Sequence, residues 1–292
     1  MSYEEKFDAS LDLLRRLDPQ RTSTNLNDIC TLIQNDSTVD EDLTQDLLSS
    51  VDTPLTITKC DTTGKQYLCC DYNRDGDSYR SPWSNEYFPK ISEEDAMSAP
   101  FPSDWLRQLE VKANESFEIY RDLYYEGSGV SSVYMWDTSD EPIDTLESGF
   151  AGVVLFKKAT DDGSGTWDSI HVFEVIPESS STALYKLTTS VILDLQDKGT
   201  SSLSLSGSLT RQLESSNSLS LESGANLETV HLINIGTIIE KSEYNIRNLL
   251  QEVYFDKLKD IMLKDLRSIG DSREKKAEDL KHSELIKGIQ GI

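Results

Sequence analysis

Apolar residues recur every three to four positions through the first fifty residues. Phe7, Leu11, Leu14 and Leu17 form one stripe, closed by Pro19; Leu26, Ile29 and Ile33 form a second; Leu43, Leu47 and Leu48 form a third. Each set falls on one face of a short helix. Three such helices joined by polar turns predict a small antiparallel bundle over residues 1–52. Residues 53–102 follow as a connector with two short strand candidates, PLTITK and QYLCC. SDWLRQLEVKANESFEIYRDLYYEG, residues 103–127, returns to helical spacing. Leu106, Leu109, Ala113, Phe117, Tyr120 and Tyr124 share its stripe, with Ser103 placed to cap its start and Gly127 its end.

Over residues 128–215 the period falls to two. VSSVYMWD, FAGVVLFKKA, TWDSIHVFEVI, ALYKLTTSVILDL and SLSLSGSLTRQL are five successive strand candidates. In the fourth, Tyr185, Leu187, Thr189, Val191, Leu193 and Leu195 share a face; in the fifth, Leu203, Leu205, Leu209 and Leu213 do, opposite a side of Ser, Thr and Gln. Such alternation marks antiparallel strands with one apolar side. The turns DDGSG and DKGTS suit hairpins, which predicts a five-stranded meander. ESSNSLSLESGANLE, 214–228, reads as a polar loop. Within 216–270 a long amphipathic helix then carries Ile235, Ile238, Ile239, Ile246, Leu249, Leu250, Val253, Leu258, Ile261, Met262, Leu266 and Ile269, with Gly270 at its end. Residues 271–292 start afresh with a capping-box-like Asp271/Glu274 pair.

The predicted fold class is α+β: a helical bundle, a five-stranded antiparallel sheet under a long helix, and a C-terminal amphipathic helix. Two features ask for a partner. From Ile235 to Ser268 the helix extends roughly 50 Å at about 1.5 Å per residue, whereas five strands at about 4.8 Å cover only about 24 Å. If the helix crosses the strands, its apolar stripe overhangs, and a second sheet joined edge to edge would cover it. A helix parallel to the strands would remove that argument. The tail is the second feature. A helix of about twenty residues is marginal alone. It suits either a helix-in-groove ligand or a helix packed back on its own domain.

Charge narrows the partners. The 292 residues carry a net −24, which argues against nucleic acid and against non-specific contact with anionic membranes. Residues 273–292 hold five Lys/Arg and four acids, so this tail is +1 and the other 272 residues carry −25. No apolar run has the length of a membrane-spanning helix, and the acidic start MSYEEKFDAS is unlike a secretory signal. Cys30, Cys60, Cys69 and Cys70 lack metal-binding spacing and read as reduced thiols.

One stretch, CDYNRDGDSYRSPWSNEY at 70–87, raises the question of calcium. Asp71, Asn73, Asp75 and Gly76 meet positions 1, 3, 5 and 6 of an EF-hand loop, but position 12, which needs a bidentate Glu, is Pro82. The segment reads instead as a rigid polar connector of turn-forming residues, with Arg74 and Arg80 pairing with its acids. No nucleophile motif or phosphate-binding glycine loop occurs. His171 alternates within a strand as a sheet residue would, and His231 and His282 have no partner spacing. No catalytic residue, metal or cofactor is expected.

The same stretch, with Asp71, Asn73, Arg74, Asp75, Gly76, Arg80 and Trp83 as its structural core, closely resembles the signature of the beta-subunit family of F-actin capping proteins. LLRRL, DLLSSVDTPL, GVSSVYMWD, GFAGVVLFKKA, WDSIHVFEV, YKLTTSVILDLQ, GSLTRQLE and EVYFDKLKDIMLKDLRS match in family order, covering nearly the whole chain. The resemblance implies a non-enzymatic heterodimer with a capping-protein alpha subunit. The two sheets would join into one of ten strands, with the long helix, including Ile246, Leu250, Val253, Leu258 and Ile261, lying across it. It implies capping of the barbed end of actin filaments in cytoplasmic, actin-rich cortical structures. The tail becomes a tentacle that docks actin through Leu280, Leu285, Ile286 and Ile289, flanked by Lys281 and Lys287. Phosphoinositides and capping-protein-interacting peptides are implied regulators. Loops 137–148 and 214–228 are longer than the family's usual turns and suggest a fungal-type member. The alternatives are a heterodimeric scaffold of this fold without capping activity, and a calcium-responsive or hydrolytic protein built around 71–77.

Overall fold

A computed structural model of the chain describes residues 3–17, 21–34, 41–51, 53–92, 99–125, 129–138, 149–161, 163, 165–195, 207–221 and 226–252. It divides into two compact units, 1–242 and 243–292. The first holds three short helices, α1 (Tyr3–Arg15), α2 (Thr22–Gln34) and α3 (Glu41–Ser50). Their stripes meet as the spacing requires: Ile29, Ile33, Leu43 and Leu47 form a buried cluster against Phe7, Leu11 and Leu14.

The connector contains the pair β1 (Thr56–Lys59) and β2 (Gln66–Cys69), a 3-10 turn at Asp71–Asn73, and a small sheet of β3 (Arg74–Asp75), β4 (Ser78–Arg80) and β5 (Tyr87–Phe88). This second sheet falls within the stretch read from sequence as a rigid polar connector of turn-forming residues. Gly76 opens the two-residue turn between β3 and β4 at φ 55°, a left-handed conformation glycine adopts without a Cβ clash.

Helix α4 (Asp104–Tyr124) begins after Ser103. The serine occupies the cap position, but its hydroxyl does not cap the helix. Ser103 Oγ donates to Asp137 Oδ1 at 2.8 Å and Ser103 N to Asp137 Oδ2 at 2.9 Å, two bonds to a carboxylate that tie the start of the helix to Asp137. The helix closes at Tyr125, whose N–H reaches Arg121 O; Gly127 lies outside the described residues.

The main sheet contains β6 (Val130–Asp137), β7 (Phe150–Ala159), β8 (Gly165–Ser179), β9 (Thr182–Leu195) and β10 (Gly207–Ser220), all antiparallel, in the order β10-β9-β8-β7-β6. The first four match the alternating segments. The fifth is displaced. The segment at 214–228 was expected to be a loop, yet pairing with β9 continues from Gly207 opposite Leu195 to Ser220 opposite Thr182. Leucine–serine alternation persists on both sides of the expected end, so the pattern cannot locate it; the length of β9 does. Leu203 and Leu205 lie outside the described residues.

Nor is the sheet one-sided. Against one face pack Leu106, Leu109, Ala113 and Phe117 of α4, with Ile235, Ile238 and Ile239 of the final helix α5 (Leu227–Leu250). Against the other lie Leu55 and Leu68 of the connector, over Val130, Tyr134, Val153, Leu155, Ile170 and Ile192. Two-sided burial explains why FAGVVLF is continuously apolar rather than alternating. Helix α5 starts at Leu227, eight residues before the expected Ile235. Its continuation to Ser268, and the tail helix, lie outside the described residues.

Candidate assembly site

The signature stretch is a joint. Asn73, at position 3 of the calcium-like loop, turns its amide inward: Oδ1 accepts from Cys70 N at 2.9 Å, and Nδ2 donates to Arg80 O at 2.9 Å. Its side chain therefore organises backbone instead of facing a cation. Asp71 sits in the 3-10 turn, Asp75 on β3 and Asp77 in the hairpin turn. Among the described residues no group of three His, Cys, Asp or Glu is arranged to hold a metal. Arg74 Nε donates to Gly76 O at 2.7 Å, and Trp83 Nε1 donates to Gln66 O at 2.9 Å with Lys65 Nζ over its ring.

Arg80 corrects the expected pairing with the loop acids. It is buried, and its two terminal nitrogens donate to Glu110 of α4 at 2.8 and 2.7 Å. Nη1 also donates to Asn85 Oδ1 at 2.8 Å. Burial opposes the charge, but the hydrogen bonds and charge of Glu110 hold the Arg80 pKa above its ordinary value. Arg107 adds a second contact to Glu110 and donates to Pro82 O at 2.7 Å. A planar guanidinium meeting a carboxylate two-on-two is the geometry that best repays burying both charges.

Glu110 has a further role at the rim of the main sheet. Its Oε2 accepts from Met135 N at 2.7 Å. One turn along α4, Asn114 Oδ1 accepts from Val133 N at 2.9 Å and Asn114 Nδ2 donates to Val133 O at 3.0 Å. The β6 rim is thus occupied by side chains. The opposite rim, β10, has β9 as its one strand neighbour among the described residues. From Gln212 to Ser220 the side chains of β10 alternate between exposed and half-buried.

Elsewhere, Asp168 ties the connector to the sheet: it is buried, accepts from Leu55 N at 2.8 Å and pairs with Lys157 at 2.7 Å. Burial raises its pKa against the lowering effect of Lys157. His171, expected to be a sheet residue, bonds Thr189 Oγ1 through Nδ1 at 2.9 Å. His231, which had no partner by spacing, meets Tyr185 OH through Nδ1 at 2.7 Å. The four cysteines are free thiols.

Of the docking residues inferred from sequence, Ile246 and Leu250 fall on the last turns of α5 and are buried. Val253, Leu258 and Ile261, and the tail residues Leu280, Lys281, Leu285, Ile286, Lys287 and Ile289, lie outside the described residues. Glu110 and Asn114 were not singled out. The available signal was two polar residues, four apart, directly beside Leu109 and Ala113 of the apolar stripe.

The architecture has a solved counterpart. The homodimeric actin capping protein alpha subunit from Plasmodium berghei superposes with a TM-score of 0.52, covering 92% of this chain and 99% of that one at 14% identity. That likeness defines the fold class, a capping-protein fold. Sequence defines the family within it. The family model for the F-actin capping protein beta subunit matches residues 7–262, and the chain belongs to that family. Its relatives include the F-actin-capping protein beta subunits of Debaryomyces hansenii, 70% identical over 295 residues with 100% of this chain and 99% of the relative covered, and of Saccharomyces cerevisiae, 47% identical over 296 residues with 99% of each covered. That of Gibberella zeae is 49% identical over 298 residues, with 97% of each covered.

Proposed function

We propose that this chain is the beta half of a heterodimer that binds the barbed end of actin filaments and blocks subunit addition and loss there. Family membership supports the actin-capping class. The observation that carries the assembly is the asymmetry of the sheet: Glu110 and Asn114 bond the outward backbone of β6, while among the described residues β10 has β9 as its one strand neighbour. An edge strand is a template for another strand. An alpha subunit of the same fold would add its own edge strand to β10 and extend the sheet to ten strands. The long helix, through Ile246, Leu250, Val253, Leu258 and Ile261, would then cross onto the partner.

In this reading the tail docks an actin cleft through Leu280, Leu285, Ile286 and Ile289, with Lys281 and Lys287 facing acidic actin. The signature residues Asp71, Asn73, Arg74, Asp75, Gly76, Arg80 and Trp83 serve as the joint between helical stalk and sheet. The work is done by binding, with no catalytic residue or cofactor assigned. The setting is the actin-rich cytoplasmic cortex, and phosphoinositides and capping-protein-interacting peptides are its regulators. Coexpression with a capping-protein alpha subunit should yield a 1:1 complex whose mass stays constant on dilution. Separate monomers at working concentration would contradict the paired sheet.

A further inference from the structure

A rim strand presents every second N–H and C=O outward, and a neighbouring strand engages them by exchanging both bonds with one residue. Asn114 reproduces that exchange with a side-chain amide: one bond from Val133 N, one to Val133 O, at 2.9 and 3.0 Å. Two residues along, where the next outward group falls, Glu110 takes Met135 N. Both side chains are locked in place. The second Asn114 N–H is donated to Glu110 O at 2.9 Å, and Arg80 and Arg107 hold the Glu110 carboxylate. Glu110 is 0% and Asn114 2% exposed, so water cannot substitute for them. A helix packing on a sheet does not by itself call for buried Glu and Asn, because apolar residues would fill that space without burying polar atoms.

A second rim is closed in the same way. On β2, Leu68 N donates to Ser132 Oγ at 2.9 Å and Leu68 O accepts from Tyr134 OH at 2.7 Å. Both side chains come from β6. Two edges are therefore closed by side chains, whereas among the described residues β10 has β9 as its one strand neighbour.

We infer that Glu110 and Asn114 determine assembly specificity by acting as a surrogate strand on β6, so that the sheet accepts one partner, at β10, and the complex ends there instead of growing into a sheet polymer. Buried polar contacts against backbone exclude a competing strand more selectively than bulk alone, since they leave that strand nothing to bond.

This inference rests on the paired-sheet reading, and the test separates the two. The full chain, coexpressed with a capping-protein alpha subunit, would be compared with Asn114→Leu by sedimentation velocity over a range of concentration and by amide hydrogen exchange. The wild type should remain 1:1. The variant should show exchange at Val133 faster by roughly tenfold or more, no change at Tyr134, whose N–H faces β7, and a concentration-dependent species of at least twice the heterodimer mass. A variant that stays 1:1 at every concentration with Val133 deprotected overturns the inference. If Asn114→Leu fails to fold, shown by deprotection of Tyr134 as well, the triple variant R80M/E110M/N114L is held to the same criterion. It clears both rim contacts and removes Arg80 together with Glu110, while the partly exposed Arg107 keeps its bond to Pro82 O. If the wild type forms no 1:1 complex, the paired-sheet reading falls instead, and the same comparison on the lone chain decides the role of the rim.

Discussion

At the scale of single residues, the buried charges set the sharpest expectations. Arg80 and Glu110 face each other at 3% and 0% side-chain exposure. Replacing Arg80 with Met takes the two-on-two partner from a fully buried carboxylate and leaves it Arg107 as its remaining ion pair, which should destabilise the fold by roughly 3 kcal/mol, whereas R80M/E110M together should recover part of that loss. Chemical denaturation of the two variants distinguishes them. His231 makes a prediction about pH. Tyr185 OH accepts from Asn234 Nδ2 at 3.1 Å and lies 2.7 Å from His231 Nδ1, and the buried imidazole meets the Phe150 ring in a T-shaped contact. Burial lowers the His231 pKa from 6.5 to about 4. Between those values the unfolded chain binds a proton that the folded chain refuses. Stability that is full above pH 6.5 should fall by about 3 kcal/mol as pH drops to 4. His231→Gln should remove that part of the slope, measured by denaturation across the window; an unchanged slope would mean the imidazole is not held neutral.

At the scale of elements, close approach between strands decides what is tolerated. A Cβ on Gly152 of β7 would lie 2.5 Å from Phe173 Cζ and 2.7 Å from the Tyr134 carbonyl oxygen. The ring could shift; the backbone oxygen of a paired strand cannot do so cheaply. Gly152→Ala should therefore destabilise by about 1–3 kcal/mol, read as a lower denaturation midpoint, and a neutral outcome would mean β6 and β7 can part without loss. Elements of this kind were largely legible from pattern. The stripes through Leu11, Ile29 and Leu47 give the bundle, and VSSVYMWD and FAGVVLFKKA give strands with the observed ends. The failures share a cause. The end of β10, the start of α5 and the partner of Arg80 are set by what lies opposite in space, namely the length of β9, the sheet beneath and a carboxylate thirty residues away. Periodicity reports which face a residue takes, not what it meets there. The rim contacts of Glu110 and Asn114 were invisible for the same reason.

At the scale of the whole molecule, the proposed function divides the work between the acidic body and the near-neutral tail. In that proposal the body would receive a partner at β10, and the tail, whose sequence carries apolar residues at helical spacing with Lys281 and Lys287 beside them, would bind actin. Family membership gives the actin-capping class, and the rims of the sheet support the proposal that a second subunit would join at β10. Binding energy at the filament end would be shared between the assembled body and the tail, so removing the tail should weaken capping without dissolving the heterodimer.

The most direct measurement is elongation of pyrene-labelled actin from filament seeds, using this chain coexpressed with a capping-protein alpha subunit, with and without residues 271–292. The account predicts inhibition at concentrations well below that of actin, weakened when the tail is removed. An intact, folded heterodimer that leaves elongation unchanged would contradict it, and would mean that the fold and its pairing serve as a scaffold without closing the filament end.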